Sequence, residues 1–227
     1  MNRSQNIEAL LEKASKSLGQ LRQAYEASLH SKVVSADLKV EIKNIFENLR
    51  SCLDYLAHDI FESTCPGKNP PKPLYFPIRQ SLPDFDGVIS VDFPSLKSVN
   101  RPICDFLESI QPYHDPWLGQ FNELNKLNKH QDLVEQTRTE TPTVTVSSPG
   151  GGSVSWGPGV TFGSGVSVWG VPIDPRTQMP VLNNSVTTEV TIWVDFKFKE
   201  NGQSVLTFIE KSIESVKHIY TELDKYI

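Results

Sequence analysis

The sequence predicts an α+β fold: a bundle of about five helices with an antiparallel β-sheet insertion before the last of them. Three observations predict it. Apolar residues recur at steps of three and four through the first half and again at the C-terminus, which is the helical period. Between these regions lies a stretch rich in Thr, Val, Ser and Gly that alternates apolar with polar residues, the period of a half-buried strand. Proline and glycine mark the places where one pattern gives way to another.

The first helix is expected over residues 5–30, where Ile7, Leu10, Leu11, Ala14, Leu18, Leu21 and Ala24 form one face. Ser35 is the expected N-cap of a second helix ending near Ser63, with Ile42, Ile45, Phe46, Leu49, Leu53, Leu56 and Ile60 as its stripe. The short link between them predicts an antiparallel hairpin. Cys65-Pro66-Gly67 stops the second helix. Prolines 66, 70, 71, 73 and 77 keep residues 66–78 extended, and Tyr75 and Phe76 are expected to pin this stretch to the bundle. Residues 79–99 read as irregular. Ile103, Phe106, Leu107 and Ile110 predict a short helix ended by Gln111-Pro112-Tyr113. Asp115-Pro116 opens the next one, with Asp as N-cap and Pro in the first turn.

The β-rich stretch begins with strict alternation over Thr143–Ser147, then a turn at Pro149-Gly150-Gly151-Gly152. Short strands are expected at Val154–Trp156, Val160–Phe162 and Val166–Trp169, and a long one over Thr187–Phe198. Together they predict one sheet of about four to six strands. Asn201-Gly202 closes it, and Ile209, Ile213, Val216, Tyr220 and Leu223 mark a last helix. The organisation that follows is a helical bundle over 1–134, a β-rich insertion over 135–200, and a helix over 201–227 returning to the bundle.

Composition narrows the function classes. Hydrophobic residues make up 38% and charged residues 22%, which suits a folded core and excludes disorder throughout. The net charge of −5 and the absence of lysine or arginine runs give no support to sequence-independent nucleic-acid binding. The three cysteines form no close pair, so reduced thiols in a cytoplasmic protein are expected. No signal-peptide pattern and no membrane-spanning apolar run is present. The five histidines are scattered without metal-ligand spacing, and no metal or other cofactor is expected. Gly150-Gly151-Gly152 is followed by no Lys-Ser/Thr and no helix, so it is no phosphate loop. Trp156, Trp169 and Trp193 are expected in the β core, with an exposed binding platform as the alternative.

The candidate site lies in the helices. On the helix that follows Asp115, Asn125, Asn128 and Asp132 fall within about 60° of the apolar centre at Phe121, with Lys129 at the edge and His130 pointing away. On the second helix Arg50, Asp54 and His58 follow at steps of four beside the apolar stripe. Packing of these two helices would bring Arg50 and Asp54 to Asn125, Asn128, Lys129 and Asp132 in one polar pocket. Such a pocket is either a ligand or catalytic site or a structural network that fixes helix register.

Four blocks also carry a resemblance: Leu49-Arg50-Ser51-Cys52-Leu53-Asp54-Tyr55-Leu56-Ala57, Tyr75-Phe76-Pro77-Ile78, Ile110-Gln111-Pro112-Tyr113, and Leu124-Asn125-Lys126-Leu127-Asn128-Lys129-His130. In this order they resemble a family of uncharacterised bacterial proteins, over roughly residues 45–135. Tyr55, Asn128 and Gln131 stand where that family has His, Asp and Arg. The resemblance implies no established activity.

The chain is also similar, more weakly, to HEPN domains, helical bundles that often act as ribonucleases in toxin and phage-defence systems. Their Arg-x(4–6)-His pattern is approached only by Arg50…His58 and Arg22…His30, each with seven intervening residues. That resemblance implies a metal-independent ribonuclease with Arg50, His58 and His130 as catalytic groups and RNA as partner. The residues themselves favour a protein that binds a small ligand or a protein partner, as a monomer or a homodimer through its helices.

Overall fold

The computed structural model describes residues 3–28, 36–130, 136–181 and 183–227, and for residues 26–28, 36, 128–130 and 193 the backbone alone. It is an α+β fold. The helices are α1 (Arg3–Ser28), α2 (Ala36–Thr64), α3 (Leu82–Asp92), α4 (Leu96–Val99), α5 (Arg101–Ser109), α6 (Trp117–His130) and α7 (Val205–Leu223). The strands are β1 (Gln136–Ser147), β2 (Ser153–Trp156), β3 (Ser167–Val168), β4 (Val171–Asp174), β5 (Met179–Pro180) and β6 (Thr187–Phe198). The chain divides into two compact units, one of residues 1–136 with 198–227 and the other of residues 137–197.

In the helical unit, α1 and α2 form an antiparallel hairpin. Arg3 at the start of α1 bonds Asp59 and Glu62 near the end of α2, and the Cys52 thiol donates to the Ile7 carbonyl between them. Helix α7 also runs against α1, with Ser4 beside Tyr220 and Arg22 paired with Glu210. The core is aromatic where α2, α6 and α7 meet. Phe46 lies 5.6 Å from Phe121, 6.0 Å from Phe198 and 6.2 Å from Phe208, ring centre to ring centre. Trp117 stacks on Phe121 and donates its indole N–H to Ser212, which in turn donates to the Phe208 carbonyl. This satisfies the Trp117 indole N–H and the Ser212 hydroxyl inside the apolar interface.

Helix α2 stops where expected, with Gly67 at φ +75° just beyond it. Asp115 caps α6 by accepting the Trp117 N–H at 2.9 Å. Residues 79–99 are not irregular. Ser81 accepts the Asp84 N–H as N-cap of α3, Pro83 sits in the first turn, and Phe85 and Ile89 are buried.

The β unit corrects a second expectation. Among the described residues it holds two three-stranded sheets, β2-β1-β6 and β3-β4-β5, rather than one. The hairpin between β1 and β2 pairs Val144 with Trp156 and Ser147 with Ser153 around the glycine turn. Strands β3 and β4 turn through Trp169 and Gly170, both at positive φ, between the paired Val168 and Val171. That is the tight hairpin geometry matched to strand twist, and it folds these strands onto one another. Val160–Phe162 form no strand, because the Gln178 amide occupies the Phe162 backbone: Phe162 N–H donates to it and Phe162 O accepts from it. Trp156 is buried with Val144, Val146 and Ile173, whereas Trp169 is 49% exposed. The Trp193 side chain lies outside the described residues.

Candidate functional site

The helical unit contains a cleft of about 310 Å³ lined by Arg50 and Asp54 of α2, Tyr75, Phe76, Ile78 and Arg79 of the extended segment, Asp92 of α3, and Asn122, Asn125 and Lys126 of α6. The extended segment is a strap laid over the bundle. Leu74, Phe76 and Ile78 are buried, and Tyr75 between them is 50% exposed. Period-two alternation therefore places the Phe76 ring in the core and Tyr75 at the rim.

Two side chains fasten the strap. Asp54 Oδ1 accepts the Phe76 N–H at 3.0 Å. Gln111, fully buried, donates its amide to Pro77 O at 3.0 Å and to Leu107 O at 2.7 Å, and accepts the Arg79 N–H at 2.8 Å. Every hydrogen-bonding direction the Gln111 amide uses is matched, as burial demands.

Arg50 forms the wall of the cleft. Its Nη2 lies 3.0 Å from Asp54 Oδ1 and its Nε donates to Oδ2 at 3.2 Å, while Nη1 donates to Asn122 Oδ1 at 3.2 Å. The guanidinium sits 5.8 Å from the Tyr75 ring centre, within cation–π range. Arg50 and Asp54 therefore neutralise each other, and each guanidinium nitrogen of Arg50 has a partner.

Three groups are not engaged in this way. Asn125 is 7% exposed and its Oδ1 has no hydrogen-bond partner among the described residues. Arg79 is half-buried and donates from Nη1 to the Ile78 carbonyl at 2.8 Å, with no carboxylate partner among the described residues. Asp92 is half-buried and takes part in no ion pair among them. Lys126 pairs with Glu123 at 2.9 Å.

The pocket expected from the sequence thus exists in part. Arg50, Asp54 and Asn125 line one cleft. Arg50 reaches Asn122 rather than Asn125, because its long side chain spans to the edge of the α6 face. Asp132 lies outside the described residues, as do the side chains of Asn128, Lys129 and His130. His58 is half-buried one turn beyond Asp54 and is not part of the cleft lining; Glu62 is its charged neighbour. His30, the second histidine of the spacing argument, lies outside the described residues.

Sequence reasoning missed Arg79, Asp92, Asn122 and Lys126. Asn122 and Lys126 stand at i and i+4 on α6, one helical ridge, but off the apolar centre that guided the search. Arg79 directly follows the Phe-Pro-Ile block, and Asp92 ends a helix that was read as irregular.

The described thiols offer no nucleophile. Cys52, Cys65 and Cys104 are free and buried, and burial pushes the Cys52 thiol up to about 12, far from a reactive thiolate. The described residues contain no group of three or more His, Cys, Asp or Glu able to hold a metal ion, and no helix among them is long and apolar enough to cross a membrane. Family models, curated proteins and solved structures yield no match to the chain.

Proposed function

We propose that this protein binds a small polar ligand in the cleft between α2, α6 and the strap. The observation that supports the reading is Asn125. A buried amide oxygen without a partner costs roughly 1–3 kcal/mol, and the Arg50 and Asp54 side chains of the same cleft bond other groups instead of it. Asn125 lines the cleft, and a turn of its amide about the last side-chain torsion would present the oxygen to a ligand donor there. The volume, about 310 Å³, stands at the low end for small-molecule sites. The mixture of aromatic rim, apolar floor and a few convergent polar groups is the composition such sites have. Three of the four sequence blocks that resemble the uncharacterised bacterial family supply Arg50, Asp54, Tyr75, Phe76, Ile78, Asn125 and Lys126 to this one cleft, which further supports a shared site there.

Thermal unfolding in the presence of separate pools of neutral, anionic, cationic and zwitterionic metabolites tests the proposal. A ligand present at a hundred times its Kd stabilises by about 2.7 kcal/mol, so at least one pool is expected to raise the melting temperature of the wild type. Asn125→Leu removes the unpaired oxygen. It is expected to leave the ligand-free protein within about 0.5 kcal/mol of wild type, or stabilise it, and to abolish the shift. No shift from any pool at millimolar concentration would sink the binding reading. A metal-free digestion of structured and single-stranded RNA runs alongside. Cleavage lost in both Arg50→Ala and His58→Ala, with the fold intact by circular dichroism, would replace binding with the ribonuclease.

A further inference from the structure

We infer that the ligand of this cleft is a small zwitterion of the amino-acid class, its carboxylate held by Arg79 and its ammonium group by Asp92 and Asn125 Oδ1. The inference rests on the binding reading above and names the ligand's chemistry.

The charges of the cleft sort into two sets. Arg50 and Asp54 neutralise each other, and Arg50 also bonds Asn122 while Asp54 also accepts the Phe76 N–H. Lys126 is held by Glu123. What remains is one cation, Arg79, and one carboxylate, Asp92, both half-buried and both lining the cleft. They form no ion pair with each other, and neither has an oppositely charged partner among the described residues. Half-burying two opposite charges without pairing them forfeits hydration on both and gains little Coulomb energy in return. The arrangement is matched by a molecule that carries both signs and reaches both groups.

The alternatives fit less well. A plain anion would satisfy Arg79 but would lie in the field of Asp92, and like charges brought together in a cleft are disfavoured. A plain cation meets the mirror problem at Arg79. Neither an anion without N–H groups nor a hydrocarbon supplies the donor that Asn125 Oδ1 lacks. An ammonium group carries three donors, enough for Asp92 and Asn125 together. A carboxylate matches the planar fork of Arg79, of which only Nη1 has a partner among the described residues, the Ile78 carbonyl. The cleft volume limits the ligand to a single amino acid or a dipeptide, with the half-exposed Tyr75 ring at the rim beside it.

The test is calorimetric titration of the full-length protein with free amino acids and dipeptides, with the same compounds N-acetylated, and with the same compounds amidated at the carboxylate. At least one free zwitterion is expected to bind, and its acetylated and amidated forms to bind at least about tenfold more weakly, the loss of roughly one charged contact each. Two surface-accessible substitutions give a crossed readout. Asp92→Asn is expected to weaken the zwitterion about tenfold while the N-acetyl form, freed of the repelling carboxylate, binds at least as tightly as before, and Arg79→Gln to weaken the zwitterion about tenfold while the amide form binds at least as tightly as before. An N-acetyl form that binds as tightly as its free parent would overturn the zwitterion assignment in favour of an anion site. An amide that does so would overturn it in favour of a cation site. In either case the binding reading stands. Metabolite pools that shift the melting temperature without any zwitterion among the active compounds would likewise reject only the ligand class, whereas silence in every pool rejects the site itself.

Discussion

Asp54 Oδ1 accepts the backbone N–H of Phe76 at 3.0 Å, so one carboxylate on α2 holds both the strap and, through the pair at 3.0 Å, the guanidinium of Arg50. Replacing Asp54 by Ala strands two donors at once. Their side chains are only 16% and 23% exposed for Arg50 and Asp54, so solvent repairs the loss poorly. The expected cost is about 2–3 kcal/mol in urea unfolding, and Asp54→Asn, which keeps an acceptor, should cost about half as much. A loss below about 0.5 kcal/mol for Asp54→Ala would show that the strap is fastened elsewhere.

Gln111 is the second fastening. Its amide donates to two carbonyls and accepts one N–H. Gln111→Leu leaves these three backbone groups without their partner in a buried place and should cost about 2–4 kcal/mol. Gln111→Glu turns donors into acceptors facing the Pro77 and Leu107 carbonyls, and should cost at least as much at neutral pH. Equal stability of wild type and both variants would mean that the strap is held by its apolar side chains alone. Amide exchange can separate the two contributions, since loosening of the strap exposes the Phe76 and Arg79 N–H groups before the core opens.

The helices were legible because their apolar faces repeat over many turns. Ile42 to Ile60 on α2 and Ile209 to Leu223 on α7 each present a stripe that only burial explains. Helix α3 has two buried positions, Phe85 and Ile89, too few for a period to show. Its start signal, Ser81 and Asp84 around Pro83, was present in the sequence without a stripe to confirm it. The long strands β1 and β6 likewise declared themselves by alternation, while β4 and β5 are too short to do so. At the site, the Arg50–Asp54 pair was legible because it lies within one helix. Its partner on α6 was not, because periodicity tells which face is buried but not how far an arginine reaches across it. The pairing of Gln178 with the Phe162 backbone is a contact across sixteen residues of loop, and no local pattern encodes it.

Arg3 gives a pH dependence with a defined sign. Its guanidinium bonds both carboxylate oxygens of Glu62, at 2.7 and 2.5 Å, and also Asp59 at 2.7 Å. The hydrogen bonds from Arg3 hold the Glu62 carboxyl below its ordinary range. A carboxylate depressed on folding stabilises the protein above its unfolded pKa, and that contribution disappears as pH falls through the folded value. The difference in stability between wild type and Arg3→Gln should therefore be present at pH 7, begin to shrink below about pH 4, and vanish once the pH has fallen through the depressed folded value. Glu62 is well exposed, which keeps the difference within roughly 0–1 kcal/mol. Carboxyl-resolved NMR titration checks the cause directly: the Glu62 midpoint should rise in Arg3→Gln. An unchanged midpoint would assign the shift to some other neighbour.

The glycine turn between β1 and β2 carries a prediction that separates backbone strain from packing. Gly151 and Gly152 both have positive φ, +90° and +103°, so a side chain at either position is strained. A Cβ on Gly151 meets nothing within 4 Å, whereas one on Gly152 comes within 3.2 Å of the Trp169 ring. Gly151→Ala should then cost about 1 kcal/mol from the backbone alone. Gly152→Ala should cost more, because the indole must also move. Removing the ring tests the difference: in a Trp169→Ala background the two alanine substitutions should become equivalent, within the roughly 0.5 kcal/mol that independent sites show. Fluorotryptophan NMR gives the matching structural readout, with the Trp169 resonance displaced by Gly152→Ala and unmoved by Gly151→Ala. A persistent gap between the two alanine variants after the ring is gone would place the extra cost in the backbone at Gly152 instead. Ligand binding in the helical unit should be the same in all of these variants, since none of the altered residues lines its cleft.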